Sequence, residues 1–427
     1  MAKGRPAGLR LETAVRTQIE FQQSSLDDLL ASDHRARQVW DYVEELDLSV
    51  LYRRVQTTMS SSGRPAIDPA ILVSLWLYAT LEGVGSARLL DRLCKSDAAY
   101  LWLLGGVGVN YHTLSDFRSE AGAVLDELLS QSLTALIASG SVDVRTLAVD
   151  GMKLQSLASG RSFKSADRLA ELHRASVATV AALQAEIEED SAASERRIKA
   201  RRLAAAEDRT RRLAQARKAQ AKIEQRRGEQ AAEQRRKEER RDHDPARASI
   251  SDPDARIMKM GDGSYRPAYN VQIKTTVDAA HIVGVSVIDR GADYGLLTSA
   301  LDEVRGRYGI TPDRVLADGG YYSKADIEVL HERDVTLFCP LPRNRKGDPS
   351  QPRRGDGPGT VAWRRRMATA QAQAIYRRRF ATERPHAHMR NHGLRRLLVR
   401  GIEKVKAVVL WHVHAFNFLQ FKRLGLA

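Results

Sequence analysis

Two short apolar runs, residues 144–151 (VRTLAVDG) and residues 314–320 (RVLADGG), each lead into an aspartate followed by glycine. Runs of four to eight apolar residues that end at turn-forming residues are typical of buried strands. Asp150 and Asp318 would then end their strands, and the glycines after them would let the backbone turn and leave room for a phosphate and a metal ion. A single Asp-Gly pair is more often only a turn. Two of them together predict carboxylates at one edge of a sheet.

Further strand and helix patterns surround these two runs. Residues rich in β-branched side chains predict strands at 267–277, 281–287 and 335–339. Helical periodicity occupies residues 296–308, and Ser323 can cap another helix. The order is strand, insertion, two strands, helix, strand, helix, strand, loop and helix. We therefore predict a mixed α/β core, and the order resembles that of ribonuclease H-like cores.

The N-terminal part of the chain has the signals of an all-helical domain, which we place at residues 1–140. Asp68 is an N-cap followed by proline at the first helical position. Ser86 can cap a second helix that extends past Leu101, and Thr113 can cap a third that extends to Leu136. Short helices of this kind suit DNA binding and suit an ordinary helical bundle equally well.

A charged segment at residues 169–242 separates the first predicted strand from the others. It contains no proline, is rich in Ala, Glu, Gln, Arg and Lys, and therefore predicts long exposed helices, as a hairpin or a weak coiled coil. We interpret it as a charged helical insertion that splits the α/β core into residues 141–168 and residues 243–427. The second part ends in an apolar helix at residues 397–419, which we expect to close over the core. A solvated helix pair without a further role and a helix pair that contacts DNA or a second copy are both compatible with this pattern.

The composition indicates an acidic partner and a reducing compartment. The chain has 427 residues, enough for two or three domains, and a formal net charge of +15 with a pI of about 9.9, which is typical of proteins that bind nucleic acid. The alternative is a soluble protein that is basic but does not bind nucleic acid. The two cysteines, Cys94 and Cys339, suggest neither a zinc site nor a disulfide framework. The most apolar stretch, residues 71–81, is shorter than the roughly 20 residues of a membrane span and predicts a buried helix, so we expect a cytoplasmic protein without a membrane partner.

A third acidic position comes from an ordered motif near the C-terminus. Tyr376, Arg379 and Glu383 follow one another at spacings of three and four residues, and Arg390 follows Glu383 after six intervening residues. On one continuous helix the first three would share a face, where arginine can hold a phosphate while glutamate reaches a metal ion. Tyr-x2-Arg-x3-Glu-x6-Lys/Arg is the signature of a large group of bacterial insertion-sequence transposases of the DDE class, and this chain resembles that group.

Other stretches are similar to the same family, and the similarity covers most of the chain outside the charged insertion. They are Gly63-Arg64-Pro65, Asp68-Pro69, residues 110–118, residues 251–256 and residues 267–272. The resemblance implies that Asp150, Asp318 and Glu383 bind the catalytic metal ions, for which Mg²⁺ is expected and Mn²⁺ is possible. It also implies that Tyr376, Arg379 and Arg390 bind DNA phosphates, that the partner is double-stranded DNA of element ends and target, and that the protein acts at the nucleoid as a homo-oligomer on DNA.

The chain departs from the family pattern at three places. Arg390 stands where lysine is usual, Met152 where threonine often follows the Asp-Gly pair, and residues 384–392 are rich in His and Arg. The last change is compatible with a decayed or repurposed transposase that binds DNA without cutting it. A nuclease that cuts without joining and an architectural DNA-binding protein are also compatible with a basic chain of this kind. An architectural protein would leave the spacing of the three acids unexplained.

Two further groups of residues invite a functional interpretation that the pattern does not favour. His386 with His388 and His412 with His414 form two His-x-His pairs, but neither has partners at zinc-site spacing, so we assign them no metal. Tyr321 and Tyr322 could stack on a base or pack in the core, and packing is the favoured interpretation.

Overall fold

The computed structural model describes residues 25–55, 65–189, 193–233, 245–342 and 348–425. Residues 1–24 and the Gly63-Arg64 pair lie outside the described residues. The boundaries of the proposed domains remain a prediction.

The described N-terminal region is helical, as expected. Its helices are a 3₁₀ helix at Asp27–Leu29, α1 (Arg35–Glu44), α2 (Ser49–Tyr52), α3 (Pro69–Leu81), α4 (Ala87–Leu93), α5 (Ala98–Leu104), α6 (Tyr111–Glu120) and α7 (Gly122–Ala138). Asp68 and Ser86 cap α3 and α4 through the backbone N–H groups of Ala70 and Leu89. Two predicted helices are each divided in two by a new cap or a break.

The divisions have local causes. The helix predicted to start at Ser86 ends at Leu93, and Asp97 caps the separate helix α5 by accepting from Ala99 N–H. The cap of α6 is Asn110 and not Thr113, because its amide oxygen accepts from the N–H groups of both His112 and Thr113. A polar residue three positions earlier therefore supplies the cap.

A mixed sheet forms the core. Its strands are β1 (Thr146–Gln155), β4 (Arg256–Lys259), β5 (Tyr265–Thr276), β6 (Ile282–Ile288), β7 (Arg314–Ala317) and β8 (Thr336–Phe338), while β2 (Phe163–Lys164) and β3 (Ala248–Ser249) form a small separate pair next to a 3₁₀ helix at Gly160–Ser162. The strand order is β4-β5-β1-β7-β8, and β6 also pairs with β5. β1, β7 and β8 are parallel, and β5 is antiparallel to β1, β4 and β6. This is the predicted ribonuclease H-like arrangement.

Strand β1 is longer than predicted. It continues through Gly151 to Gln155 and pairs antiparallel with β5 over this whole length. Asp150 therefore lies in the middle of β1 and not at its end, whereas Asp318 directly follows the last residue of β7 as predicted.

The charged segment forms a helical arm between β2 and β3. α8 (Ala166–Glu189) and α9 (Ala193–Glu233) pack against each other as a hairpin. Leu169, Leu213 and Ala216 form a small apolar contact with Ala248, which joins the arm to β3. Among the residues that the structure describes, the buried apolar side chains of the arm thus lie at its base.

The helices after the arm cover the sheet. They are α10 (Leu297–Tyr308), a 3₁₀ helix at Gly319–Tyr321, α11 (Lys324–Glu332), α12 (Pro358–Met367), α13 (Ala370–Arg377), a 3₁₀ helix at Arg378–Thr382, α14 (Glu383–Asn391) and α15 (Ile402–Arg423). Ser323 caps α11 by accepting from Asp326 N–H. α15 begins after Gly401, whose φ of 87° is in the left-handed region that glycine adopts readily.

Two apolar clusters lie in the core. One contains residues from β1, β7, β8 and the helices α10 to α13. The larger one joins the N-terminal helices to β5, β6 and α15, so the helical region and the sheet share one continuous core. α15 is buried around its circumference between these two parts and connects them.

The most apolar helix, α3, is buried along its whole length, as predicted for residues 71–81. Over the described residues, no single helix combines the length and the apolar content needed to cross a membrane. The adjacent pair of α6 and α7, bent by 58°, meets both conditions when counted together.

Candidate active site

Asp150 and Asp318 are neighbours at two adjacent parallel strands. Val149 of β1 is opposite Ala317, the last residue of β7, so the residue that follows each of them is one of the two aspartates. Adjacent strands lie about 4.8 Å apart, which brings the two carboxylates to one place. The Asp318 carboxylate also accepts the backbone N–H of Gly320 at 2.8 Å. The structure thus brings together the first two residues predicted from sequence.

The electrostatic environment of Asp318 is unfavourable to its charged form. Burial raises the pKa of the Asp318 carboxyl above its ordinary value, and the negative charges of Asp150 and Asp293 raise it further. The Gly320 N–H and the Arg379 guanidinium lower the pKa and offset only part of this effect. Crowded carboxylates of this kind are characteristic of sites that act on a cation or a proton.

Asp150 is held by residues of the C-terminal motif region. Its Oδ2 atom accepts from Nη1 of Arg379 at 3.0 Å and from Oγ1 of Thr382 at 3.1 Å. Nδ1 of His386 lies 3.7 Å from the same oxygen. The Asp150 carboxylate is therefore tied to the segment that carries the predicted motif, more than 200 residues away in sequence.

The motif does not lie on one continuous helix, so the helix-face argument is wrong. Tyr376 is on α13, Arg379 is in the 3₁₀ helix Arg378–Thr382, and Glu383 is the first residue of α14. Burial raises the pKa of the Tyr376 hydroxyl, the Arg379 charge nevertheless lowers it, and Arg379 also donates to Asp150. The break turns Arg379 toward β1, where it holds a carboxylate.

Glu383 and Arg390 are both exposed on α14. Glu383 directly follows Thr382, whose hydroxyl binds Asp150, so its backbone is next to the aspartate pair. Within the residues that the structure describes, no three His, Cys, Asp or Glu side chains are arranged to hold a metal ion. Asp150 and Asp318 thus form a pair, and the role of Glu383 as the third acid stays a prediction.

Sequence reasoning missed a third carboxylate beside this pair. Oδ1 of Asp293 accepts from Nδ2 of Asn270 and from Nε2 of Gln272, both at 2.7 Å. The Tyr321 hydroxyl donates to Oε1 of the same Gln272. Asp293 lies in the loop after β6, where no local pattern marks it. The Asn270-Val271-Gln272 part of the family-like stretch at 267–272 was the one available signal.

The histidines and tyrosines mostly pack inside the protein. Tyr321 is fully buried below the carboxylates, which agrees with packing rather than base stacking. Tyr322 packs on the Trp363 ring, with centroids 5.2 Å apart. Burial lowers the pKa of His386, an effect that the Asp150 charge opposes, and burial also lowers the pKa of His412. Burial of these rings thus favours neutral imidazoles.

Gly151 does not provide the open space that its sequence position suggested. A Cβ atom there would lie 2.7 Å from Nε2 of Gln272 and 2.8 Å from Oδ1 of Asp293. The missing side chain makes room for the amide and carboxylate network and not for a phosphate.

The Gly151→Ala substitution is therefore expected to destabilise the protein by about 1–3 kcal/mol, since the added methyl group forces the Gln272–Asp293 hydrogen bond apart. Urea unfolding measures this loss. Gly319→Ala is the matched control, because a Cβ at Gly319 meets nothing within 4 Å. Equal stability of the two variants would show that the network adapts to the methyl group without cost.

Two family models match the chain. The Transposase domain (DUF772) matches residues 24–120, which include α1 to α6, and the Transposase DDE domain matches residues 236–418. Comparison with curated proteins and with solved structures gives no match. The range matched by the second model contains Asp318 and Glu383 but not Asp150, which lies on β1 before the arm.

The pairing of β1 with β5 and β7 reunites Asp150 with the part of the sheet that the DDE model matches. The two models occur in one chain without overlap, and together they span most of its length. β1 of the ribonuclease H-like sheet lies between the two matched ranges, and β4 to β8 lie within the second. The two matches and this sheet show that this chain belongs to the insertion-sequence DDE transposases.

Proposed function

We propose that this transposase cuts the ends of its element and joins them to target DNA by metal-dependent phosphoryl transfer at Asp150, Asp318 and Glu383. The observation that supports it most directly is the side-by-side position of Asp150 on β1 and Asp318 directly after β7. A chain with a net charge of +15 has no structural need to crowd acids at one sheet position. Double-stranded DNA is the substrate class that the family implies.

The residues present suit a hard divalent cation. Asp150 and Asp318 offer oxygen donors, which Mg²⁺ and Mn²⁺ prefer, and Glu383 follows the residue that binds Asp150. The raised pKa of Asp318 reflects burial and the charges of Asp150 and Asp293, and a cation would offset the repulsion among them. Divalent ions at such a site supply activation of water or a 3′-hydroxyl and stabilisation of the departing oxygen.

The protein's own residues would position DNA. Arg379 donates to Asp150 beside the aspartate pair, and its charge acts on the nearby Tyr376 hydroxyl, so the two are suited to bind a phosphate oxygen near the reacting bond. Arg390 is exposed on α14 and would bind a phosphate further along the strand. We expect the protein to act at the nucleoid as a homo-oligomer that holds two element ends.

Glu383 provides the sharpest test of the proposed triad. Glu383→Gln is expected to lower Mg²⁺-dependent cleavage of DNA with the element's ends by at least about 100-fold, because it removes one charged metal ligand while the shape is kept. Arg384→Gln, at an exposed neighbour, is the matched control. Cleavage is measured with Mg²⁺ and with chelator, and joining is measured with a second DNA. Full activity of Glu383→Gln would remove Glu383 from the site.

A transposase that binds DNA without cutting it is the second candidate. One observation favours it: Oδ2 of Asp150 already accepts from Arg379 and Thr382, which leaves less of this carboxylate for a metal. The intact protein with Mg²⁺ decides between the two, since the decayed form would bind element ends and yield no cleaved product. Cleavage without joining would instead indicate a nuclease.

A further inference from the structure

The arm carries its positive charge on one of its two helices. In residues 198–229 of α9, basic residues outnumber acidic ones by eleven to four. In residues 166–187 of α8, there are two basic and three acidic residues. The arm is thus not a uniformly solvated charged hairpin. Its positive charge is concentrated along α9.

Part of this charge forms a stripe on the side of α9 that faces away from α8. Leu213, Ala216 and Gln220 are the buried side of α9. At 100° per residue, the opposite side carries three exposed basic residues. They are Arg211, Lys218 and Lys222, which we call the α9 stripe. At 1.5 Å per residue the stripe extends over about 16 Å, a length that follows several phosphates of one DNA strand.

The C-terminal part of α9 is anchored near the carboxylate site. Arg226 binds Asp289 at 2.9 Å, and Arg256 of β4 binds the same carboxylate at 2.8 Å. Asp289 follows β6, whose last residue Ile288 is paired with Asn270. The Asn270 amide binds Asp293, which lies beside the aspartate pair. The α9 stripe therefore begins near the end of β6 that precedes Asp289 and extends along α9 away from the sheet.

We infer that the α9 stripe binds the phosphate backbone of duplex DNA flanking the carboxylate site. This inference rests on the proposed function, because it assumes that DNA occupies the site. Lysine and arginine bind phosphates without regard to base sequence, so the stripe positions the duplex and does not read it. The arm would thus hold the duplex beside the carboxylate site.

Charge favours DNA over a second copy of the chain as the partner. A second copy has the same net charge of +15 and would be repelled by the stripe. The exposed apolar side chains of the arm, Val177 on α8 and Ile198 on α9, lie outside the stripe. Its exposed neighbours on α9 include the polar residues Gln215, Gln225 and, one turn before Arg211, Glu207. A polyanion is the partner that this chemistry fits.

The test compares two double charge reversals in the full-length protein. Arg211→Glu with Lys218→Glu alters the stripe and leaves the Arg226–Asp289 anchor intact. Arg305→Glu with Arg314→Glu is the control, because both residues are exposed and the net charge changes equally. Arg314 begins β7, at the opposite end of the strand from Asp318. Binding of a fluorescein-labelled DNA duplex is measured by anisotropy over a range of salt concentrations.

We expect the stripe variant to bind at least tenfold more weakly at low salt. The slope of log affinity against log salt should become shallower by about 2, since each lost phosphate contact removes about 0.9. The control variant should keep the slope of the unaltered protein. Arg211→Gln with Lys218→Gln is a second stripe variant without introduced acids, so it controls for unfolding of the arm by the glutamates. It should show the same change in slope.

Equal slopes for the stripe variants and the control would overturn the inference. A changed molar mass of the free protein in light scattering, with the slope unchanged, would overturn it in favour of self-association. A further outcome is that the unaltered protein binds and cleaves DNA while the stripe variants show the same slope of log affinity against log salt. That result would reject DNA binding by the arm and leave the proposed function intact. Absence of DNA binding by the unaltered protein would overturn the proposed function as well.

Discussion

Asp318→Asn is expected to lower the rate of Mg²⁺-dependent DNA cleavage by about 10³-fold or more, since a lost metal ligand costs several kcal/mol and each 1.36 kcal/mol is tenfold in rate. Asparagine keeps the size of the side chain and its acceptor for Gly320 N–H, so the loss reports charge rather than shape. Single-turnover cleavage of DNA with the element's ends measures it.

The same substitution is expected to stabilise the metal-free protein at neutral pH. Burial and the charges of Asp150 and Asp293 raise the pKa of Asp318 above its ordinary value of 3.8, so the folded state binds its proton more tightly than the unfolded state. The resulting loss of stability is absent well below pH 3.8, grows as the pH rises from 3.8 to the raised pKa, and stays constant above it. Asparagine removes this loss of stability, so the Tm of Asp318→Asn at pH 7 should be higher than that of the unaltered protein. The two Tm values should become equal in acid.

Asp313→Asn is the matched control for Asp318→Asn. Asp313 is exposed and directly precedes β7, at the other end of the strand from Asp318. We expect it to leave the cleavage rate and Tm nearly unchanged. Mg²⁺ should raise Tm of the unaltered protein and of Asp313→Asn but not of Asp318→Asn. Retained cleavage in Asp318→Asn would exclude Asp318 from the metal site.

The parts of the fold that sequence predicts are those with a local signal. The run at Arg314–Ala317 forms β7 within the predicted bounds, and the two β-branched runs form the hairpin of β5 and β6. In each case, the residues that define the element lie within it. The same holds for the caps at Asp68 and Ser323.

The parts of the site that sequence did not predict depend on distant residues. β1 continues past Asp150 because β5 pairs with it as far as Gln155, and an Asp-Gly pair alone would suggest a turn. Asp293 comes to the site because Asn270 and Gln272 hold it, and the loop that carries it has no periodic pattern. The 3₁₀ helix Arg378–Thr382 is held at both ends by contacts to Asp150, through Arg379 and Thr382.

The contact between the N-terminal helices and the sheet could not be predicted from sequence either, because α15 is buried around its circumference and has no single apolar face that would mark one partner. α15 contacts both parts. Trp411 donates a hydrogen bond to the Arg118 carbonyl of α6, and Asn417 binds both backbone groups of Ile282 on β6. One helix thus joins the region matched by the first family model to the sheet of the second.

Trp411→Ala is therefore expected to destabilise both parts together, by about 3–5 kcal/mol, which is the usual cost of removing a buried tryptophan side chain. Trp411 is 1 % exposed and packs near Trp76 of α3 and Phe117 of α6, with ring centroids 6.5 and 6.1 Å away. Urea unfolding measures the free energy, and hydrogen exchange should show an equal loss of protection in α3 and β6.

Trp102→Ala separates this result from the general effect of losing a tryptophan. Trp102 is only partly buried, packs against Trp40 and donates to Asp27 at the outer side of the helical region. Its removal should cost less and should weaken exchange protection around α1 and α5 rather than in β6. If Trp411→Ala instead lowered protection only in the N-terminal helices, the sheet would be a separate folding unit, because a shared core transmits the loss of one buried side chain to every element packed on it.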